Sequence, residues 1–151
     1  MRMRKKKHSK ERLEACKEYL FSTEELAEGD VMTDPAALVG MPGGKVFLEI
    51  GAGKGGFACA MAERHGDVAY FAMERVTDCV VIGAERAASG EYGELRNLRF
   101  LIENADDLMQ IFAPGSVDAI FLNFSDPWPK DRHAKRRLPS REFLARYDKI
   151  L

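Results

Sequence analysis

A glycine-rich run, Gly51-Ala-Gly-Lys-Gly-Gly, follows directly after the short apolar segment 45–50. Gly51, Gly53 and Gly56 fit the pattern GxGxxG, and Gly55 adds a further glycine to the same turn. Glycines between a strand and a helix permit a tight turn and let backbone N–H groups approach a ligand closely. The run lacks the GxxxxGK[ST] pattern of a P-loop. It therefore predicts a nucleoside-cofactor site, with Gly51, Gly53 and Gly55 near the ligand, rather than a Walker-type phosphate site.

Acidic and polar side chains stand where the predicted strands end. Glu74 directly follows the second predicted strand, where its carboxylate can accept hydrogen bonds from both ribose hydroxyls of an adenosine. Glu49 lies two residues before the first glycine; there it would repel a pyrophosphate but attract the ammonium and sulfonium of S-adenosylmethionine. Asn104 follows the third strand and can bond an adenine edge, while Asp106 is predicted to cap the next helix. The glycine pattern leaves S-adenosylmethionine and a nicotinamide dinucleotide open, and Glu49 favours the first.

The stretch after the fourth predicted strand combines an acid, an aromatic ring and several cations. It reads Asn123-Phe-Ser-Asp-Pro-Trp-Pro-Lys and continues into Arg132-His-Ala-Lys-Arg-Arg. Prolines on both sides of Trp128 restrict the backbone, and the Trp128 ring offers a face on which an extruded base can stack. Asp126 supplies a carboxylate nearby, so the stretch predicts chemistry on an RNA base. The predicted RNA contacts are Lys130, Arg132, His133, Lys135, Arg136 and Arg137.

Charge is unevenly distributed along the chain, although the formal net charge is only −1. Residues 1–17 contain eight Lys or Arg against two Glu, and residues 130–149 contain eight against three Asp or Glu. The segment between them is acidic. Clusters of Lys and Arg gain affinity for polyanions by displacing counterions from phosphates. Two basic segments beside a predicted site favour a nucleic-acid partner over two merely solvated faces.

Four short apolar segments alternate with predicted helices through the middle of the chain. The predicted strands cover 45–50, 68–73, 98–102 and 117–121, and the predicted helices cover 57–65, 78–88, 106–112 and 140–151. This alternation predicts an α/β fold with a parallel sheet and helices on both of its faces. Before the first strand, the sequence predicts a short helix over residues 11–21 and a second helix with Ser22 as its N-cap.

Composition excludes several classes of protein. With 46% apolar and 31% charged residues over 151 positions, the chain has the composition of a globular domain. Its apolar stretches are far shorter than the ~18 residues of a bilayer span, and no apolar region follows the basic N-terminus, unlike a secretory signal. Cys16, Cys59 and Cys79 are odd in number and form no CxxC, so neither a disulfide framework nor a zinc knuckle is predicted. We expect a cytoplasmic chain with no membrane partner and no metal.

The motifs together resemble those of the bacterial tRNA (guanine-N7-)-methyltransferases. The resemblance rests on Arg2-Met-Arg-Lys-Lys, Leu48-Glu-Ile-Gly-Ala-Gly-Lys-Gly, Asn123-Phe-Ser-Asp-Pro-Trp-Pro-Lys and Arg132-His-Ala-Lys-Arg-Arg-Leu, and it covers nearly the whole chain. It implies a Rossmann-like class I methyltransferase core, with strand order 3-2-1-4, that methylates N7 of a guanine in tRNA from S-adenosyl-L-methionine. It also implies cofactor contacts at Glu49, Glu74, Asn104 and Asp126, and tRNA contacts at Lys130 and 132–137. Asp126 is in addition the predicted catalytic residue.

The resemblance also bears on how much of a domain the chain contains. Members of this family continue past the helix with which this chain ends, adding strands and substrate-binding residues. We therefore expect a basic arm and helical lead-in over 1–40 and an incomplete methyltransferase domain, without its C-terminal strands, over 41–151. Many relatives have Asp where this chain has Asn104, which still accepts a hydrogen bond but lacks the charge. A catalytically inactive tRNA-binding chain and a nicotinamide-dependent oxidoreductase stay open as alternatives.

Overall fold

The computed structural model describes residues 8–123 and 141–151. Several predicted functional residues lie outside these ranges, so their roles stay predictions based on sequence. They are Asp126, Lys130, Arg132, His133, Lys135, Arg136 and Arg137.

A four-stranded parallel sheet forms the centre of the structure. Its strands are β1 (Lys45–Ile50), β2 (Val68–Glu74), β3 (Leu98–Ile102) and β4 (Ala119–Leu122). They lie in the order β3-β2-β1-β4, which confirms the predicted order. In the register of the sheet, Glu49 of β1 pairs with Ala72 of β2 on one side and with Phe121 of β4 on the other. All seven residues of β2 are buried, as expected for a central parallel strand covered on both faces.

Helices cover both faces of the sheet, as predicted. They are α1 (Ser9–Ala15), α2 (Gly56–Arg64), α3 (Thr77–Ala88), α4 (Leu108–Ile111) and α5 (Arg141–Ile150), with short 3-10 turns over Lys17–Tyr19, Thr23–Glu25, Pro35–Val39 and Ala105–Asp107. On one face, Phe71 of β2 packs with Ile111 of α4 and Ile150 of α5. On the other, Phe100 of β3 packs with side chains of α2 and α3. Each large side chain buried in this way contributes about 1.5–3 kcal/mol relative to an exposed one.

The segment before the sheet lies against it. The N–H of Phe21 donates to the carbonyl of Phe100 in β3 at 2.9 Å. In α1, the Arg12 guanidinium forms a two-pronged ion pair with the Glu85 carboxylate of α3. The Ser9 hydroxyl donates to the carboxylate of Asp78 at the start of the same helix, 3.1 Å away. Helix α1 is therefore attached to α3, the helix that follows β2, while the predicted boundary at residue 40 stays a prediction.

The helix predicted over 11–21 is wrong in extent. It begins two residues earlier, at Ser9, and its α-helical part ends at Ala15. The reason is that Leu20 and Phe21 must be extended to bridge β3, so the chain leaves helical geometry before them. Ser22 does act as an N-cap, accepting from the N–H of Glu24 at 3.2 Å within a capping box.

The fourth strand also begins later than predicted, at Ala119 instead of Val117. The N–H of Val117 donates to the carbonyl of Ile150 at 2.9 Å and so connects the chain to α5 before the strand pairs with β1. Within the described ranges, no helix is long and apolar enough to cross a bilayer.

Candidate cofactor site

The glycine run joins the end of β1 to the start of α2 through a turn with three left-handed residues. Gly51, Gly53 and Gly55 have φ angles of 79°, 57° and 80°, a region that costs other residues about 1–2 kcal/mol each. The N–H groups of Gly51 and Ala52 both donate to the carbonyl of Met73 at 3.0 Å. The turn is therefore held against the carboxyl end of β2, where ligands bind in open parallel sheets.

Gly55 also allows the turn to touch α3 directly. A Cβ atom on Gly55 would lie 2.7 Å from the Cα of Gly83 and 3.1 Å from Cζ of Phe100. A Cβ atom on Gly83 would lie 2.8 Å from Cε1 of the same ring. Real Cβ atoms essentially never come closer than 3.0 Å to another heavy atom. Glycine is therefore required at both positions for α3 and the ring of Phe100 to pack against the turn.

Glu74, the last residue of β2, connects the glycine turn to the loop before α3. Its Oε1 accepts from the N–H of Gly53 at 3.0 Å and its Oε2 accepts from the N–H of Val76 at 2.8 Å. Each carboxylate oxygen keeps a second lone pair, so a ribose diol can add two hydrogen bonds. The structure places Glu74 beside Gly53, and its contact with a cofactor stays a prediction.

Glu49 lies at the end of β1 and is fully buried, with 0% of its surface exposed. Its Oε1 accepts from the Tyr70 hydroxyl at 2.8 Å, and its Oε2 accepts from Nδ2 of Asn123 at 3.2 Å. Burial raises the pKa of the Glu49 carboxyl, the two hydrogen bonds oppose this, and the negative charge of Glu74 raises the pKa further. The carboxylate therefore belongs to an internal polar cluster that joins β1, β2 and the residue after β4.

Sequence reasoning missed Tyr70 and Asn123 as members of this cluster. Tyr70 stands in the apolar strand β2 and has the appearance of a core residue. Its contact with Glu49 follows from register: Glu49 pairs with Ala72, and Tyr70, two residues earlier, faces the same side of the sheet. Asn123 belongs to the predicted stretch 123–130, but nothing in that motif indicates that its amide contacts Glu49.

Asn104 caps the 3-10 turn after β3, and the prediction that Asp106 is the cap was wrong. The Asn104 side-chain oxygen accepts from the N–H of Asp106 at 3.0 Å. The extended backbone of Asn104, with φ −96° and ψ 142°, suits a cap, whereas Asp106 lies inside the turn and faces Arg146. The cap uses one lone pair of the amide oxygen, so the second lone pair and the amide nitrogen both remain for the predicted adenine contact.

The glycine turn, Glu49, Glu74 and Asn104 thus lie along the carboxyl edge of β1, β2 and β3. Glu49, beside the glycine turn, repels a pyrophosphate but suits positively charged groups, and Glu74 suits a ribose diol. The residues fit S-adenosyl-L-methionine in these respects. Away from this edge, a cavity of about 500 Å³ lies beside Met41, Gly66 and Asn97 at the amino ends of the strands. The amide of Asn97 there already donates to three backbone carbonyls.

Comparison with solved structures shows the class of fold. The "Structure of an Antibiotic Related Methyltransferase" is similar with a TM-score of 0.57, over 82% of this chain and 63% of that chain, at 19% identity. The antibiotic-resistance methyltransferase Kmr is similar with a TM-score of 0.56, over 83% and 64% of the two chains, at 20% identity. The sheet order and these likenesses define a Rossmann-like class I methyltransferase fold.

Comparison of sequences shows the family. The family model described as "Putative methyltransferase" matches residues 43–151. The tRNA (guanine-N(7)-)-methyltransferase of Geobacillus thermodenitrificans is 40% identical over 154 residues, which cover 100% of this chain and 66% of the relative. The enzyme of that name from Halalkalibacterium halodurans is 44% identical over 106 residues, covering 70% and 47%. The chain belongs to the bacterial tRNA (guanine-N7-)-methyltransferase family, and it spans between about half and two thirds of the length of these curated relatives.

Proposed function

We propose that the chain transfers a methyl group from S-adenosyl-L-methionine to N7 of a guanine in tRNA, forming 7-methylguanosine. The observation that supports this most directly is the carboxyl edge of the sheet, where Glu49 and Glu74 flank the glycine turn, in a chain whose relatives bear the name of that activity. S-adenosyl-L-methionine is the cofactor of a methyltransferase of this family. The partner is then tRNA, and the proposed location is the cytoplasm.

In the proposed reaction the protein has to align guanine N7 with the methyl group and to stabilise the positive charge that develops on the base. Guanine N7 has a free lone pair, so no residue has to remove a proton before the methyl group is attacked. The glycine turn, Glu49 and Glu74 would hold S-adenosyl-L-methionine, which would supply an electrophilic methyl group. The N7–carbon bond would form as the carbon–sulfur bond breaks, so that the positive charge would move to the base and S-adenosyl-L-homocysteine would leave. Asp126 is proposed to orient the guanine and face this charge, and the cations of 132–137 to hold phosphates.

A nicotinamide-dependent oxidoreductase is the less favourable alternative. The family is one of methyltransferases, and the buried carboxylate of Glu49 lies at the end of β1, beside the glycine turn where a pyrophosphate would have to lie. Glu74 suits the adenosine ribose of either cofactor and does not separate them. The second alternative is a chain that binds tRNA without catalysis. It would make the same RNA contacts, so only an assay of methyl transfer distinguishes it from the proposed function.

The test is a methyl-transfer assay with labelled S-adenosyl-L-methionine and a tRNA transcript. It uses this chain and the same chain extended by the C-terminal region of the Geobacillus relative. We expect label in 7-methylguanosine, and no label when the transcript contains 7-deazaguanosine, which has no N7 lone pair. Label at another position contradicts the proposed product. Binding of both tRNA and cofactor without any methyl transfer by either protein supports the non-catalytic alternative.

Replacing Glu74 by glutamine is expected to weaken cofactor binding at least tenfold. Glutamine keeps the size and one acceptor oxygen, but it loses charge-assisted hydrogen bonds that contribute about 1.5–3 kcal/mol each. Calorimetry with S-adenosyl-L-homocysteine measures the change, and the exposed Glu94→Gln provides a control outside the site. Equal affinities for Glu74→Gln and the unchanged chain would exclude a ribose contact.

Neutralising Arg132, Lys135, Arg136 and Arg137 together is expected to reduce the salt dependence of tRNA binding. If each contacts one phosphate, the slope of log K against log salt falls by ~3–4. Replacing the exposed cations Lys45, Arg64 and Arg96 in the acidic part of the chain serves as the control and should leave the slope nearly unchanged. A slope that stays the same in the fourfold variant would mean that the run is only a solvated face.

A further inference from the structure

The Tyr70 hydroxyl contacts the Glu49 carboxylate inside the protein. The two side chains are fully buried, and the hydroxyl oxygen lies 2.8 Å from Oε1 of Glu49. The Tyr70 ring stacks on Phe121 of β4, with 6.4 Å between centroids and 26° between planes. This packing restrains the ring, so the hydroxyl has a defined position at the end of β1.

A buried carboxylate is stable as an anion only where the protein supplies hydrogen-bond donors or a positive charge. Among the described residues, Tyr70 and Asn123 supply the two side-chain hydrogen bonds that favour the ionised form of Glu49. Tyr70 donates the shorter of the two and is the more deeply buried. An anion held in this way attracts a cationic ligand strongly because screening by water is weak in the interior.

We propose that Tyr70 is a positioning residue for the cofactor: its hydroxyl fixes the Glu49 carboxylate and keeps it ionised for a ligand that carries an ammonium and a sulfonium group. The inference rests on the proposed function, because it assumes that S-adenosyl-L-methionine binds at this edge of the sheet. It adds a residue from the apolar strand β2 that no motif of the chain indicates.

The groups around Glu49 determine the sign of the pH dependence. The negative charge of Glu74, from β2, opposes ionisation of Glu49. Cys59 of α2 interacts electrostatically with Glu49 but is neutral, because burial raises the pKa of its thiol to about 12, and Arg86 of α3 acts on that pKa in the opposite direction. Affinity for a cationic ligand is therefore present above the pKa of Glu49 and is lost as the pH falls through it.

The first experiment measures cofactor affinity as a function of pH by calorimetry, with S-adenosyl-L-methionine and S-adenosyl-L-homocysteine as the probes. Tyr70→Phe removes a hydrogen bond to the ionised form of Glu49, so the acidic limb of the profile should move up by about one pH unit. On that limb the affinity should fall about tenfold. Tyr92→Phe, the same substitution at a half-buried tyrosine that does not bond to Glu49, should leave the profile unchanged. A Tyr70→Phe profile that coincides with that of the unchanged chain overturns the proposal.

The second experiment follows the Glu49 carboxyl carbon by NMR in the protein without ligand, assigned by its absence in Glu49→Gln. Tyr70→Phe should raise the titration midpoint by about one pH unit. If Tyr70→Phe leaves the titration midpoint of Glu49 unchanged, the proposal is overturned. It is also overturned if the midpoint moves while the pH profile of cofactor affinity stays the same. If Tyr70→Phe does not fold, Asn123→Ala removes the other hydrogen bond and should move both quantities in the same direction. Failure of the unchanged chain to bind either probe contradicts the proposed function instead, and the midpoint still tests the effect of Tyr70 on Glu49.

Discussion

Replacing Gly55 by alanine is expected to lower the free energy of unfolding by about 3 kcal/mol. The left-handed backbone, with φ 80°, contributes about 1–2 kcal/mol of this loss. The new Cβ would lie 2.7 Å from Gly83 Cα, and relief of that overlap contributes about 1–3 kcal/mol, because backbone cannot move aside as a flexible side chain can. In a domain of about this size the melting temperature should fall by roughly 6–12 °C.

Alanine substitutions at two other glycines distinguish the contribution of the left-handed backbone from that of the steric overlap. Gly90 has φ 84° but no atom within 4 Å of a built Cβ, so Gly90→Ala should lose only the backbone part. Gly66 has open space and no left-handed backbone, so Gly66→Ala should be close to neutral. Urea denaturation of the three variants measures the differences. If Gly55→Ala is no less stable than Gly90→Ala, α3 does not pack closely on the turn.

The strands were predictable because central parallel strands are continuous apolar runs. β1 and β3 have the predicted bounds, and β2 extends the prediction by one residue to Glu74. The ends that differ are those determined by distant contacts. Val117 bonds to Ile150, more than thirty residues away, and the helix before Cys16 ends because Phe21 has to pair with Phe100. A local sequence pattern cannot indicate where an element ends when a contact with a residue far along the chain determines that end.

The candidate site was predictable where a residue ends a strand and unpredictable where it depends on register. Glu49 and Glu74 stand at the carboxyl ends of adjacent strands, so their type and position indicated a shared edge. Tyr70 contacts Glu49 because the strand register pairs Glu49 with Ala72, and the sequence does not specify that register. Asn104 and Asp106 are two good capping residues close together, and only the backbone geometry decides between them.

Replacing Asp126 by asparagine is expected to lower the rate of methyl transfer by about 100- to 1000-fold. Methylation at N7 makes the guanine cationic, and the proposed position of the Asp126 carboxylate against the base would stabilise the charge that develops in the transition state. Loss of one such preorganised group typically costs about 2.7–4 kcal/mol. Asparagine keeps the size and one acceptor oxygen, so the substitution removes the negative charge. The rate is compared at saturating S-adenosyl-L-methionine, because the resemblance also implies a cofactor contact at Asp126.

The measurement is single-turnover formation of 7-methylguanosine in the chain extended by the C-terminal region of the Geobacillus relative. Asp67→Asn, which neutralises an exposed acid before β2, is the matched control and should methylate at the unchanged rate. Because the effect is on developing charge, the affinity of Asp126→Asn for tRNA should stay within a few-fold while the rate falls. A rate equal to that of the control would exclude Asp126 from catalysis, and a tRNA affinity that falls as far as the rate would assign it to binding alone.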